Sequence, residues 1–297
     1  MRSDGGRAYN PRDYPPVAVT VDVALFAIRR DELCIVLIQR GVEPFAGAWA
    51  LPGGFVLPDE DLDAAAAREL AEETGVTEDS VYLEQLRSYG SPGRDPRMRV
   101  VTVAYWGACS TLPAPLGRSD AAHAELVRVL QVEEGDIELA FDHEAIVGDA
   151  LERVRAKLEY TALAARFCPP EFTISELRNV YETVWNTKLD PGNFQRKVRE
   201  NRSFQQVGQS RLAAGAEPAL GVRAQQMRFE RAEGSWDPAD EASANDAMDF
   251  SLSQPELLQD PGPVRPRSGR PASLWIAGDS DLTLNSPIPR RRATRKA

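Results

Sequence analysis

The sequence predicts an α+β protein of two domains, in which a sheet-and-helix domain is followed by a smaller helical domain. Its 297 residues are enough for two separate hydrophobic cores. Apolar runs of strand length alternate with helical patterns as far as residue 166. After Cys168-Pro169-Pro170, two short helical patterns follow one another closely. We therefore place the first domain at residues 17–166 and the second at residues 167–208 together with 265–277.

The first domain begins with a predicted hairpin. Strand patterns from Val17 to Ile28 and from Leu33 to Gln39 flank a turn at Arg29 to Glu32. Val81 to Ser88 and Arg99 to Ala108 have the same strand-like composition.

The end of this domain is predicted as one more strand and one long helix. The strand candidate is Glu125 to Val132, and the helix starts at the cap Asp142 and runs to about Arg166. Apolar side chains at helical spacing mark its buried stripe.

An acidic helix is predicted between the two pairs of strands. Its alanine run, Ala64 to Ala67, strongly favours helix, and Asp61 can cap the first turn. Glu69 precedes Glu72 by three residues and Glu73 by four, which places three carboxylates on one helical face.

Three carboxylates on one face repel one another, so a cation is expected among them. A hard divalent cation takes oxygen ligands, and the Gly53-Gly54 turn lets the backbone approach and offer a carbonyl. Arg68 is placed to orient one carboxylate through a charge-assisted hydrogen bond. The alternative is a solvated acidic face without a metal.

The stretch from Gly53 to Val76 resembles the Nudix box, G-x5-E-x7-R-E-U-x-E-E-x-G-U, in which U is aliphatic. Every specified position matches, and the matching residues are Gly54, Glu60, Arg68, Glu69, Leu70, Glu72, Glu73, Gly75 and Val76. The resemblance implies a Nudix α/β/α sandwich and hydrolysis of a nucleoside diphosphate linked to another moiety. It implies Mg²⁺ or Mn²⁺ as cofactor, held by Gly53, Glu69, Glu72 and Glu73. These three glutamates and Arg68 are the catalytic residues that it implies.

A glycine- and proline-rich loop from Gly90 to Met98 concentrates positive charge at Arg94, Arg97 and Arg99. Arginine suits bidentate recognition of phosphate, although a solvated connection is the alternative. The pattern Gly-x-Pro-x-Arg-Asp-Pro-Arg resembles the loop of Nudix proteins that recognise ADP-ribose. That resemblance implies ligand contacts by these arginines and by Arg87 on the preceding strand.

The second domain fits a helix-turn-helix. Thr173 to Glu176 is a capping box that starts one helix, and Asp190-Pro191 starts the next. The second helix leaves polar and basic side chains on its open face, among them Gln195, Arg196, Lys197 and Arg199. Such a helix is typical of DNA recognition in the major groove, and an ordinary helical hairpin is the alternative.

A basic turn followed by the short apolar strand around Trp275 predicts a wing, with Arg267 and Arg270 as DNA contacts. The chain thus resembles the Nudix-related transcriptional regulators of NAD metabolism, which fuse a Nudix-like ADP-ribose sensor to a winged helix. The resemblance covers about residues 14–207 and 265–276. It implies ADP-ribose, double-stranded operator DNA and a second copy of the chain as partners.

Three segments depart from this pattern or lie outside it. Residues 209–264 interrupt the expected wing and are rich in Ala, Gly, Ser, Pro, Asp and Glu, so we expect them to be disordered, like residues 1–16. We expect residues 278–297 to form a basic tail, in which the stretch from Arg290 to Lys296 is mobile and adds salt-sensitive DNA affinity.

Composition restricts the remaining choices. The net charge of −10 argues against non-specific coating of nucleic acid, and two histidines argue against a histidine-based zinc site. Three cysteines without C-x-x-C spacing indicate reduced thiols and a cytoplasmic location. No apolar run approaches the roughly 20 residues that span a membrane.

Two functions follow from these features. The first is an ADP-ribose-responsive repressor of NAD metabolism genes. The second is a magnesium-dependent Nudix pyrophosphohydrolase that acts on ADP-ribose or a related nucleoside diphosphate derivative, with an accessory carboxy-terminal domain. Many sensor-type relatives have eroded boxes, whereas this box is complete, which leaves hydrolysis open.

Overall fold

A computed structural model of the chain describes residues 10, 14–112, 123–209, 272–278, 284, 287 and 288. The predicted wing arginines Arg267 and Arg270 lie outside the described residues, as do most of residues 1–16 and nearly all of 209–264. None of the helices in the described parts of the chain combines the length and the apolar character needed to cross a membrane.

Ten strands and five α-helices make up the described fold. The strands are β1 (Ala18–Arg29), β2 (Glu32–Gln39), β3 (Trp49–Ala50), β4 (Gly53–Phe55), β5 (Tyr82–Tyr89), β6 (Val100–Cys109), β7 (His123–Arg128), β8 (Phe172–Thr173), β9 (Phe204–Gln209) and β10 (Ser273–Ala277). The helices are α1 (Leu62–Thr74), α2 (Val129–Glu133), α3 (His143–Tyr160), α4 (Ile174–Trp185) and α5 (Pro191–Glu200).

The first domain is the predicted α/β/α sandwich. Strands β1 to β7 form one mixed sheet in the order β3-β2-β1-β6-β5, in which β4 also pairs with β1 and β7 with β2. Alternate residues of β1 enter two different cores: Val21 and Val23 pack with Leu70 of α1, whereas Ala24 and Phe26 pack with the apolar face of α3. Because both faces of β1 are covered, its sequence reads as an almost continuous apolar run.

Helix α1 begins and ends where its capping residues predict. The Asp61 side chain accepts a hydrogen bond from the Ala64 amide at 2.8 Å. Gly75 adopts the left-handed conformation with φ of 74°, and its amide donates to the carbonyl of Ala71.

Two predicted boundaries were wrong. The strand expected from Glu125 to Val132 ends at Arg128, and residues 129–133 form α2, which buries Val129 and Val132 at helical spacing. The long helix expected to reach Arg166 ends at Tyr160, because Thr161 is extended and its hydroxyl caps a separate 3₁₀ helix, Ala162–Phe167.

The second domain is a winged helix. The capping box of Thr173 and Glu176 starts α4, and the Asp190 side chain caps α5. Tyr181 of α4 packs edge-on against Phe194 of α5, with ring centroids 5.3 Å apart. Strand β10 pairs with both β8 and β9 and buries Trp275 against this pair of helices. The predicted wing strand is therefore confirmed, whereas sequence patterns did not indicate β8 and β9.

Two residues of the expected basic tail are packed against the first domain. Leu284 and Ile288 are buried, and their amides donate to the carbonyls of Tyr160 and Glu159 at 2.8 and 3.0 Å. These carbonyls belong to the last turn of α3 and have no partner within the helix. We call Leu284, Pro287 and Ile288 the carboxy-terminal strap.

Candidate functional site

The glycine turn lies close to the backbone of β1 at Gly53 and to the Glu69 side chain of α1 at Gly54. Strand β4 pairs antiparallel with β1, with Gly53 opposite Asp22 and Gly54 opposite Val21. A Cβ atom on Gly53 would lie 2.2 Å from the carbonyl oxygen of Val21, and one on Gly54 would lie 2.3 Å from Oε1 of Glu69. The turn therefore brings backbone against the acidic face of α1, as the sequence predicts.

Arg68 binds three glutamates at once. Its guanidinium donates to Glu60 at 2.6 and 2.9 Å, to Glu69 at 2.8 Å and to Glu72 at 3.1 Å. The hydrogen bonds from Arg68 lower the pKa of Glu60 to about 2. The sequence predicted that Arg68 would orient one carboxylate, so its neutralising role is larger than expected.

Glu73 is a partly buried carboxylate of the box that binds the glycine turn. Its Oε2 accepts a hydrogen bond from the Gly53 amide at 2.8 Å. Burial raises the pKa of Glu73 to about 7 despite this bond, and the charges of Glu69 and Asp22 raise it further. Burial also raises the pKa of Glu69.

The box residues fit a divalent cation in their chemistry. In the described parts of the chain, no three acidic, histidine or cysteine side chains are already grouped as a metal site. Arg68 instead holds Glu69 and Glu72. However, burial and mutual repulsion penalise the charges of Glu69 and Glu73 beside the glycine turn, and a hard cation would relieve this penalty.

A buried polar network lies behind the turn. The Arg94 side chain is only 4% exposed and binds Asp142 in a bidentate pair at 2.6 and 2.9 Å. His143 accepts a hydrogen bond from the Leu51 amide at 2.9 Å, and its Nε2 lies 3.5 Å from Asp22. Sequence reasoning did not identify this network, although an aspartate inside the apolar β1 pattern was a signal for it.

The arginines expected at the ligand have different surroundings. Arg94 is occupied by Asp142 in the network above. Arg87 binds Asp149 at 2.6 Å and stacks on the Tyr89 ring, next to α3. Arg97 binds Asp95 and faces the ring of Phe55, whose carbonyl accepts from Arg68.

Arg99 donates to the carbonyl of Ser91 at 3.3 Å, within its own loop. The structure therefore brings Arg97 next to the box and places Arg87 against α3. Whether any of the four arginines contacts a ligand stays a prediction.

Helix α5 presents the predicted basic face. Gln195, Arg196 and Arg199 are exposed, and Asp190 caps the helix start. Lys197 is half-buried, and its ammonium donates to the carbonyl of Pro287 in the carboxy-terminal strap at 2.9 Å. Three of the four predicted side chains are thus accessible to a nucleic acid.

Comparison with known protein families matches both domains. Residues 18–149 match the NUDIX domain, and residues 164–220 match the NrtR DNA-binding winged helix domain. The ADPR responsive transcriptional repressor NtrR of Acinetobacter baylyi is 39% identical over 213 residues, which are 71% of this chain and 83% of that protein. The ADP-ribose pyrophosphatase of Methanocaldococcus jannaschii is 38% identical over 128 residues, which are 43% of this chain and 71% of that enzyme.

A solved structure resembles the whole described fold. The crystal structure of Shewanella oneidensis NrtR complexed with a 27mer DNA aligns with a TM-score of 0.60 and 26% identity. The alignment covers 88% of this chain and 93% of the Shewanella chain.

Proposed function

The chain belongs to the Nudix family, in the group with an NrtR-type winged helix domain, and we propose that it is an ADP-ribose-responsive transcriptional repressor. The similarity to the Acinetobacter repressor carries this proposal, because its 213 residues extend well beyond the Nudix domain alone. By analogy with the regulators that the sequence resembles, the regulated genes would be those of NAD metabolism.

The ligand would bind at the box. The Gly53 carbonyl with Glu69, Glu72 and Glu73 would hold Mg²⁺ or Mn²⁺. A bound cation would supply positive charge to the pyrophosphate and polarise it. Arg68 binds and orients Glu69 and Glu72, which supports the same role.

Among the loop arginines, Arg97 and Arg99 are proposed contacts for phosphate or ribose. Arg94 would influence the ligand only through Asp142, because the guanidinium of Arg94 is buried. Arg87 would contact the ligand only if Asp149 released it, so it is the weakest of the four proposed contacts.

DNA would bind at α5 and the wing. A homodimer would present two copies of α5 to half-sites about one helical turn, or a multiple of it, apart. Gln195, Arg196 and Arg199 are free of the strap and would enter the major groove, whereas Lys197 would first have to leave Pro287. Arg267 and Arg270 would add contacts from the wing.

Electrophoretic mobility shift with a promoter fragment from the protein's own gene neighbourhood tests this proposal. We expect the wild-type protein to retain the fragment at low salt, to lose affinity steeply with salt, and to release it on addition of ADP-ribose. Arg196→Ala with Arg199→Ala should abolish retention. Arg166→Ala, at an exposed arginine outside α4 and α5, is the matched control and should retain the fragment. A wild-type protein that shifts no such fragment at low salt would show that the repressor proposal is wrong.

Hydrolysis of ADP-ribose is the second candidate function. The complete box and the similarity to the archaeal ADP-ribose pyrophosphatase favour it. Incubation with ADP-ribose and Mg²⁺ should then release AMP, and Glu72→Gln should reduce both AMP release and calorimetric Mg²⁺ affinity while preserving the fold. If no AMP is released although ADP-ribose still binds, the Nudix domain acts only as a sensor.

A further inference from the structure

Three phenylalanines and two arginines form a cluster beside the box, of which sequence analysis predicts only Arg97. We call Arg40, Phe45, Phe55, Arg97 and Phe141 the aromatic–arginine cluster. Phe141 is its centre: the guanidinium carbons of Arg40 and Arg97 lie 4.7 and 5.9 Å from its ring centroid. The ring of Phe45 packs against it edge-on at 4.8 Å. Arg97 also lies 5.4 Å from the Phe55 ring centroid.

The cluster exposes aromatic rings to solvent, and two of its phenylalanines have strained backbone conformations. Phe45 and Phe55 are 43% and 41% exposed. Phe45 and Phe141 have φ angles of 65° and 57°, which bulky side chains rarely adopt and which cost about 1–2 kcal/mol each. Strain of this kind persists where the surrounding structure imposes it and is concentrated at ligand sites.

The charge of the cluster suits an anion. Arg40 donates to the carbonyls of Pro44 and Val42, which are neutral acceptors and leave its charge uncompensated by these bonds. Burial lowers the pKa of Arg40, and the charge of the nearby Arg97 lowers it further, whereas the charges of Asp95, Glu73 and Asp22 oppose the shift. Arg97 is itself paired with Asp95. A negatively charged group that accepts from the remaining N–H donors of the two guanidinium groups would reduce this repulsion further.

The cluster is connected to the box through Phe55. The Phe55 carbonyl accepts a hydrogen bond from Arg68 at 3.2 Å, while its ring faces Arg97. Glu73 of the box is also close enough for its charge to raise the pKa of Arg40. One molecule could therefore place a pyrophosphate at the box and a flat ring at the cluster.

We propose that the aromatic–arginine cluster binds the adenylate half of the ligand. The base stacks on the exposed faces of Phe45 and Phe55, and the guanidinium groups of Arg40 and Arg97 bind the adjacent phosphate. This inference rests on the proposed function, since it takes ADP-ribose as the ligand. It assigns selectivity for the base to residues outside the specified positions of the box and outside the glycine-rich loop, with Arg97 the one member shared with that loop.

Calorimetry with two ligands tests the proposal. ADP-ribose carries the base, and ribose 5-diphosphate keeps one ribose and both phosphates but lacks the base. Phe45→Ala and Phe55→Ala should each weaken ADP-ribose binding by between about 5-fold and about 150-fold. Both should leave the affinity for ribose 5-diphosphate unchanged. Phe55→Tyr keeps the aromatic face and should restore ADP-ribose binding.

Phe55→Leu keeps an apolar side chain of similar size without a π face, so it tests stacking if an alanine variant fails to fold. The proposal is overturned if Phe55→Leu binds ADP-ribose as tightly as the wild type. It is also overturned if the variants lose both ligands equally. If the wild-type protein binds no ADP-ribose, the proposed function itself fails, which is a distinguishable result.

Discussion

A single buried histidine makes the stability of this protein dependent on pH. The ring of His143 accepts the Leu51 amide bond, and burial lowers its pKa below the ordinary value of about 6.5. Asp22 and Asp142 oppose this shift, whereas Arg94 and Arg40 reinforce it. The folded state therefore holds the neutral ring, and the unfolded chain binds the extra proton as the pH falls.

We expect the contribution of His143 to the free energy of unfolding to be constant above about pH 7.5. As the pH decreases below about 6.5, the free energy of unfolding should fall by up to about 1.4 kcal/mol per pH unit. Chemical denaturation between pH 5 and 8 measures this slope. His143→Gln keeps an acceptor for the Leu51 amide but has no titrating ring. The slope of its free energy of unfolding against pH should therefore be smaller by the contribution of His143. Equal slopes in both proteins would exclude His143 as the origin.

Residue types at fixed spacing predicted which side chains share a face, but not what each of them binds. The spacing of Glu69, Glu72 and Glu73 placed the acidic face correctly. Arg68 could in principle reach any of several carboxylates, and only its three-dimensional surroundings show that it binds three. In the same way, a positively charged loop was visible in the sequence, whereas the burial of Arg94 by Asp142 depends on a residue far along the chain.

At the scale of elements, β1 connects the candidate ligand site to the winged helix. One part of the strand holds Asp22 against the glycine turn, and the turn that follows its other end places Asp31 against α4. The Asp31 carboxylate accepts from Asn179 at 2.8 Å, and its carbonyl accepts from Thr183 at 3.4 Å. A shift of β1 at the site would therefore be transmitted to α4, the first helix of the helix-turn-helix.

We predict that Asn179→Ala with Thr183→Val uncouples the two sites. The variant should bind ADP-ribose and operator DNA separately with wild-type affinity, but ADP-ribose should weaken DNA binding less than in the wild type. Coupling of this kind is ordinarily a 5- to 150-fold effect, about 1–3 kcal/mol. Fluorescence anisotropy of labelled DNA across an ADP-ribose titration measures it.

Asp31→Asn keeps an acceptor for Asn179 and serves as the matched control, which should couple normally. Undiminished release of DNA by the double variant would show that the signal takes another path.

The elements with local signals were predicted, and those that depend on distant partners were not. Asp61, Gly75 and the Thr173 capping box define helix ends through contacts a few residues apart, so the sequence contains all of the information. Strands β8 and β9 pair with β10, which follows β9 only after residues 210–272. No local pattern can reveal a strand whose partner lies so far away.

For the whole molecule, the long chain segment between β9 and β10 affects stability. Gln209 of β9 pairs with Ser273 of β10, so forming the wing sheet closes a very long loop. Loop-closure entropy grows with the logarithm of loop length, and reducing this loop to a few residues should stabilise the winged helix by about 2 kcal/mol. We expect urea denaturation of a protein with residues 211–271 replaced by Gly-Ser-Gly-Ser to show this increase.

A Gly/Ser stretch of the original length is the control, and it should leave stability unchanged. If the short-loop variant is less stable than the control variant, then residues 211–271 contribute native contacts that outweigh the entropy.

The contacts of β10 and of the carboxy-terminal strap give the molecule a further property. The described residues after 271 are held by non-covalent contacts: β10 lies between β8 and β9, Trp275 is in the core, and Leu284 and Ile288 cap α3. A chain severed between β9 and β10 should therefore behave as a two-piece protein, in which a short peptide completes the larger fragment. The same arrangement would let the peptide, supplied separately, act as a switch that restores the winged helix in a truncated chain.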